Sequence, residues 1–151
     1  MVIDFKRINT ITISDMYPIP DISHTIASLG NSKYSTTIDL TSGFRQIKME
    51  EKDIPKTTFS TMNDKYEFTR LPFGLKNAPV IFQRMIDDVL KEYIGKICYV
   101  YIDDIIIFGG ENANSHLENV EKIFSKLQTA NLRINLDKTK FLKTETEFLG
   151  M

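Results

Sequence analysis

The segment Tyr101-Ile102-Asp103-Asp104 sets two adjacent carboxylates between two apolar runs, Ile97 to Tyr101 and Ile105 to Phe108. A hairpin turn there keeps the acids near solvent while their neighbours are buried. Taken alone, an Asp-Asp pair is an ordinary polar turn. A third carboxylate, Asp39, ends the β-prone run Tyr34 to Leu40, and alone it would be a strand-end cap. If the two strands lie side by side in one sheet, Asp39 and Asp103 meet at one edge. Clustered carboxylates raise each other's pKa values or bind cations. An oxygen-only donor set favours Mg²⁺, with Mn²⁺ as a second choice, over zinc, and such an ion takes its remaining ligands from water and substrate phosphates. Two such ions about 3.5–4 Å apart stabilise the attacking and leaving oxygens of an in-line phosphoryl transfer.

Two more segments carry chemistry. In Leu71-Pro72-Phe73-Gly74-Leu75-Lys76-Asn77-Ala78-Pro79, Pro72 and Gly74 fix a turn, and Gly74 lets a flat ligand approach the backbone. Lys76 brings a cation to a helix N-terminus, a place that already favours anions. The same pattern also suits a plain strand-to-helix connection. In Thr41-Ser42-Gly43-Phe44-Arg45-Gln46, directly after Asp39, the backbone amides of the turn are candidates to meet a phosphate. Phe44 presents a flat ring that stacks on a ligand, blocks one, or belongs to the core.

These segments need elements to hold them. Ile11 to Pro20 reads as extended, because Pro18 and Pro20 keep their predecessors out of helix. Ser23 to Leu29 reads as a short helix closed by Gly30. Thr57 to Met62 and Tyr66 to Leu71 form a hairpin around Asn63-Asp64. Asn77 caps a helix with Pro79 in its first turn, and Ile81, Phe82, Met85, Ile86, Val89 and Leu90 repeat at helical spacing up to Gly95. Ser115 and Glu118 form a capping-box pattern for a second helix, whose face is Leu117, Val120, Phe124 and Leu127 and whose left-handed stop is Asn131. His116, in its first turn, is expected to be solvated. Short strands follow from Leu132 to Leu136 and from Lys140 to Leu142. Interleaved strands and helices with a hairpin predict an α+β fold, an antiparallel or mixed sheet backed by helices on one face.

Composition sets the bounds. The chain has 151 residues with 19 basic and 20 acidic side chains, a net charge of −1, and a 42% hydrophobic content that suffices for one core. Near-neutral charge argues against gripping nucleic acid by bulk electrostatics alone, and leaves room for a local basic groove. The single cysteine, Cys98, rules out an internal disulfide and an all-cysteine zinc site. No apolar run approaches the ~20 residues of a membrane-spanning helix, so no membrane partner is expected.

The blocks IDLTSGFRQI (38–47), IPKTTFST (54–61), YEFTRLPFGLKNAPVIFQR (66–84), YVYIDDIIIF (99–108) and NLRINLDKTKFLKTETEFLG (131–150), with YPIP at 17–20, occur in this order. Together they resemble the reverse transcriptase palm of gypsy-type LTR retrotransposon Pol polyproteins, over essentially the whole chain. The resemblance implies a polymerase palm with partial fingers over 1–151, with thumb, connection and RNase H absent, so both ends look cut. It implies an RNA-directed DNA polymerase that joins a dNTP to a primer 3′-OH with two Mg²⁺ ions held by Asp39, Asp103 and Asp104. Leu40, Thr41, Ser42 and Gly43 would meet the nucleotide, with Phe44 as a steric gate against a ribose 2′-OH. Phe73 and Gly74 would line the nucleotide pocket. Tyr101 and Ile102 would lie at the primer end, with Phe148, Leu149 and Gly150 at the start of a primer grip. Lys138 corresponds to the family's general-acid lysine. The implied partners are an RNA or DNA template with its primer, a dNTP, and the Pol segments carrying thumb and RNase H. The implied location is intracellular, in a cytoplasmic retroelement particle or the nucleus. A second reading is an inactive retroelement relic that survives as a nucleic-acid or protein interaction module. A third, a two-metal palm enzyme such as a nucleotide cyclase, is disfavoured by the LPFGLKNAP block.

Overall fold

The structure, a computed structural model, describes residues 3–30, 32–145, 148 and 149. Two short helices, α1 (Lys6–Ile11) and α2 (Ile22–Ser28), precede strand β1 (Ser35–Leu40). The hairpin strands β2 (Phe59–Ser60) and β3 (Lys65–Tyr66) lead to helix α3 (Ala78–Leu90), the strands β4 (Cys98–Tyr101) and β5 (Asp104–Phe108), helix α4 (Ala113–Thr129) and strand β6 (Ile134–Lys143). The main sheet has the order β4-β5-β1-β6, and every neighbouring pair in it is antiparallel.

Alternation along β1 buries Thr36, Ile38 and Leu40 and leaves Ser35, Thr37 and Asp39 half-buried. A period of two sends the two sets to opposite faces. Ile38 and Leu40 join Cys98, Val100, Ile105 and Ile107 in one core with Phe82, Ile86 and Leu90 of α3 and Val120, Ile123 and Leu127 of α4. Each such large apolar side chain stabilises the fold by about 1.5–3 kcal/mol on burial. Both helices therefore lie on one face of the sheet, and Asp39 looks to the other. Among the described residues no helix is long and apolar enough to cross a membrane.

Several elements depart from the sequence reading for identifiable reasons. The two strands expected after Asn131 are one strand, β6, broken by bulges. Between the pairs Thr37↔Lys140 and Asp39↔Asn135, β1 advances two residues while β6 advances five. The intervening residues, Leu136 to Thr139, three more than a regular ladder would hold there, stand out of it, closed by the Thr139 hydroxyl donating to the Asn135 carbonyl at 2.7 Å. A second irregularity is held by the Leu142 amide donating to Thr36 Oγ1 at 3.2 Å, with Leu142 at φ +46°. The α4 cap is Asn112, not Ser115: Asn112 Oδ1 accepts from the Ser115 amide at 3.0 Å, and Ser115 Oγ accepts from the Asn112 amide at 3.1 Å. Ser115 is thus the third residue of the box rather than its first. Asn131 takes the left-handed conformation expected of it, with φ +57°.

His116 is not solvated; it is fully buried. Its Nδ1 lies 2.8 Å from the Gly109 carbonyl and its Nε2 lies 2.9 Å from Thr36 Oγ1. A carbonyl only accepts, so Nδ1 carries the proton. Gly110 makes room for this helix start: a Cβ there would fall 2.6 Å from the His116 amide nitrogen, at φ +101°.

Candidate active site

The antiparallel register brings the acids together. Asp39 of β1 pairs directly with Asp104 of β5, and Asp104 pairs with Tyr101 of β4. Cβ atoms of directly opposed residues sit about 4.5–5.5 Å apart, and like charges there repel. Asp103 joins them from the β4–β5 turn, where its carbonyl accepts the Leu40 amide at 3.1 Å. The Asp104 carboxyl is pushed above the ordinary carboxylate range, first by burial and then by the negative charges of Asp103 and Asp39, with Lys138 opposing. The Lys138 ammonium lies 3.3 Å from Asp39 Oδ2. Lys138 stands in the β6 bulge, outside the ladder, and meets Asp39 through its side chain.

These donors suit a hard divalent cation: they are all carboxylate oxygens, they repel one another, and they have already drawn in one ammonium. Among the described residues, however, no three acidic, histidine or cysteine side chains converge into a protein-only metal cage. The arrangement fits an ion shared with the phosphates of a ligand.

The β4–β5 turn is held from below by a residue the sequence reading missed. Ile102 sits at φ +54°, a region that a β-branched residue enters only when its surroundings force it. Its amide donates to Gln83 Oε1 at 2.7 Å, and Gln83 is fully buried. Gln83 Nε2 donates to Asp87 Oδ1 at 2.8 Å, which fixes the orientation of the amide. Tyr17 Oη donates to Asp87 Oδ2 at 2.7 Å, and that bond, with burial, pushes the Tyr17 hydroxyl up to about 12. The signal available in the sequence was a glutamine on the buried side of an apolar helix with an aspartate four residues on.

Gly43 packs closely against Asp103 and α3: a Cβ there would lie 3.0 Å from Asp103 Cβ and 3.1 Å from Phe82 Cζ. Phe44 is wedged between two rings, Phe73 at 5.0 Å and Phe82 at 5.6 Å between centroids. Thr41 is tied to the start of β6 through its amide, which donates to the Arg133 carbonyl at 3.0 Å. Ser42 adopts φ +49°. The amides of Ser42, Gly43 and Phe44 have no acceptor among the described residues.

Gly74 turns toward the N-terminal segment. Its open side faces Phe5 and the Ile3 carbonyl, 3.4 and 3.7 Å from where a Cβ would stand. The LPFGLKNAP block is strapped down by the N-terminal segment, and Gly74 and Lys76 line a hollow with Phe5 and Asn9 of that segment. Asn9 Nδ2 donates to the Gly74 carbonyl at 2.7 Å and Asn9 Oδ1 accepts from the Lys76 amide at 2.8 Å. The Lys76 ammonium donates to the Thr12 carbonyl at 3.1 Å, which ties it to the strap. Asn77 occupies the cap position of α3 but makes no capping bond; its side chain donates to the Ile13 carbonyl and accepts from the Asp15 amide. Arg84 pairs with both oxygens of Asp15 at 2.7 Å. Of the expected primer-grip residues, Phe148 is buried, Leu149 has φ +55°, and Gly150 lies outside the described residues.

The family described as reverse transcriptase (RNA-dependent DNA polymerase) matches residues 1–151. The retrovirus-related Pol polyprotein from transposon opus of Drosophila melanogaster is 67% identical over 150 residues, covering 99% of this chain and 15% of that protein. The Pol polyprotein from transposon gypsy of the same fly is 52% identical, covering 99% of this chain and 14% of that protein. A solved structure of the foamy viral protease-reverse transcriptase in complex with double-stranded DNA superposes with a TM-score of 0.91 at 32% identity, over 99% of this chain and 26% of that one. The same foamy viral protein in complex with an RNA/DNA hybrid gives a TM-score of 0.90 over 99% of this chain and 20% of that one. The chain thus spans about a seventh of the length of the Pol relatives it matches. Its sheet, its helices and its matched sequence together make it a member of the reverse transcriptase (RNA-dependent DNA polymerase) family.

Proposed function

We propose that this chain is the catalytic palm of a retrotransposon RNA-directed DNA polymerase. The observation that carries the reading is the direct pairing of Asp39 with Asp104, with Asp103 in the adjoining turn. Asp39, Asp103 and Asp104 would hold Mg²⁺ together with the phosphates of an incoming dNTP; when bound, the metal supplies charge neutralisation and polarises the reacting oxygens. The free amides of Ser42, Gly43 and Phe44 orient the phosphates. The primer 3′-hydroxyl gives its proton to solvent water as its oxygen bonds to the α-phosphorus and the bond to the bridging oxygen breaks, and Lys138 Nζ gives its proton to the departing pyrophosphate. Phe44, unable to swing because Phe73 and Phe82 hold its ring, stands as the stop against a ribose 2′-OH. Tyr101 and Ile102 face the primer end.

The foamy viral structures in complex with double-stranded DNA and with an RNA/DNA hybrid support a primer–template partner. The test is primer extension on poly(rA)/oligo(dT) with Mg²⁺, by the chain and by a Pol polyprotein carrying it. Asp103→Asn should abolish extension. Extension that survives this substitution removes the carboxylates from the mechanism, and template binding without extension in either setting supports an interaction module instead.

A further inference from the structure

The rung that follows the last strand pair of β1 and β6 is completed by a side chain. The register runs Asp39↔Asn135 and Leu40↔Ile134, so Thr41 and Arg133 come next. A hydrogen-bonded antiparallel pair exchanges two backbone bonds. One is made here: the Thr41 amide donates to the Arg133 carbonyl at 3.0 Å. In place of the other, the Arg133 amide donates to Gln46 Oε1 at 2.6 Å, and Gln46 Nε2 donates to the Thr41 carbonyl at 2.8 Å. Nε2 also donates to the Arg133 carbonyl at 3.0 Å. A carboxamide is thus spliced into the rung as a peptide group would be. Two carbonyls and one amide meet the end of this side chain, so it must donate twice and accept once, which a glutamine does. A glutamate there would set negative charge against both carbonyls.

The splice closes one particular turn. The chain leaves β1 after Leu40, passes Thr41 and Ser42, and enters a single tight helical turn, Gly43–Gln46, that carries Phe44. Gln46 ties the far end of this turn back to its beginning at Thr41 and to the entry of β6. Ser42 stands at φ +49°, a conformation that persists in a residue other than glycine when its surroundings hold it. Gly43 rests against Asp103 on one side, and on the other the Gln46 carbonyl accepts from Arg70 Nη1 at 3.0 Å. Phe73 and Phe82 confine the Phe44 ring, but the ring projects from a backbone that they do not bond. Gln46, two residues further on, holds that backbone in place.

We propose that Gln46 is a positioning residue for sugar selection: its carboxamide fixes the turn from which Phe44 stands against a ribose 2′-OH. The proposal rests on the polymerase reading above. Gln46 acts through Phe44 and not on the substrate, so its effect depends on the ring being there.

The test uses Gln46→Met, which keeps the length of the side chain and removes its donors and its acceptor. In a Pol polyprotein carrying this chain, kcat/KM is measured on poly(rA)/oligo(dT) for dTTP and for ribothymidine triphosphate, which differ only at the 2′ position. Gln46→Met should cut the preference for dTTP at least about fivefold, chiefly by lowering the KM for the ribonucleotide, while kcat for dTTP stays within about twofold of the parent. In a Phe44→Val background the same substitution should change the preference by less than about twofold, because the ring it positions is gone. If Gln46→Met fails to fold, Gln46→Glu, which keeps the acceptor for the Arg133 amide, carries the test with the same direction expected. Amide hydrogen exchange on the chain checks the splice without catalysis: the Arg133 amide should exchange at least about tenfold faster in Gln46→Met, while Ile105 and Ile107 of β5 keep their parental rates. Parental sugar preference in the folded variant, an undiminished further loss in the Phe44→Val background, or unchanged exchange at Arg133 each overturns the proposal and leaves a working polymerase. A parent polyprotein that extends no primer overturns the polymerase reading instead, and the sugar assignment falls with it.

Discussion

Replacing Gln83 by Met tests whether the carboxylate turn is positioned from inside the core. Met keeps an unbranched chain of similar volume, so the cavity term is small. Three hydrogen bonds go: the Ile102 amide to Oε1 at 2.7 Å, Nε2 to Asp87 at 2.8 Å, and the long contact of Nε2 with the Val100 carbonyl at 3.4 Å. Leaving the Ile102 amide without a partner costs about 1–3 kcal/mol, and losing the bond to the Asp87 carboxylate about 1.5–3 kcal/mol. Relief of burying the amide offsets part of this, and relaxation of Ile102 from its left-handed conformation recovers up to about 1–2 kcal/mol. A net loss of about 3 kcal/mol in urea unfolding is expected, or a melting temperature lower by about 6–12 °C for a domain of this size. Tyr17→Phe breaks the far end of the same chain of bonds. If Tyr17, Asp87, Gln83 and Ile102 act as one unit, the double variant departs from additivity by at least about 0.5 kcal/mol. A loss below about 1 kcal/mol for Gln83→Met, or strict additivity with Tyr17→Phe, refutes the idea that the strap and α3 jointly hold the turn.

Four further outcomes follow from the geometry. The folded state holds a proton on Asp104 more tightly than the unfolded state, so this group favours the fold below the unfolded carboxylate value and loses that contribution as pH rises through the raised folded value; Asp104→Asn should therefore raise stability by about 0.2–1 kcal/mol at pH 7 and leave it unchanged near pH 3, by thermal melts at the two pH values. Mg²⁺ should bind the chain only weakly in the absence of nucleotide, since no protein-only cage is present among the described residues, and calorimetry showing a micromolar Kd would contradict this. Phe44→Val should let ribonucleotides in, cutting dNTP-over-rNTP discrimination in primer extension by about 10–200-fold, the value of about 1–3 kcal/mol of steric exclusion. His116→Ala strands the Thr36 hydroxyl and the Gly109 carbonyl and opens a void, so urea unfolding should show a loss of about 3 kcal/mol with no change in substrate discrimination.

What could be read from the sequence follows a physical rule. Burial repeats with the period of its element, so Thr36, Ile38 and Leu40 and the series Phe82, Ile86 and Leu90 declared the faces that make the core. The acids were legible because carboxylates framed by apolar strands are conspicuous. Their pairing was not, because it depends on β1 lying between β5 and β6, an order that only the folded sheet sets. Gln83 and His116 escaped for one shared reason. Each is a buried polar residue whose reason for being there is a partner 19 to 80 residues away, and periodicity reports that a position is inside, never what it bonds to there. Lys138 is the sharpest case. In a regular ladder it would itself face Asp39 across the strands, two positions on from the Thr37↔Lys140 pair. The bulge instead gives that ladder position to Asn135 and frees Lys138 to approach the carboxylate by its side chain, at 3.3 Å. The three residues added to β6 thus detach the ammonium from the pairing that would have fixed it, leaving a cation that offsets the charge of Asp39 through its side chain alone.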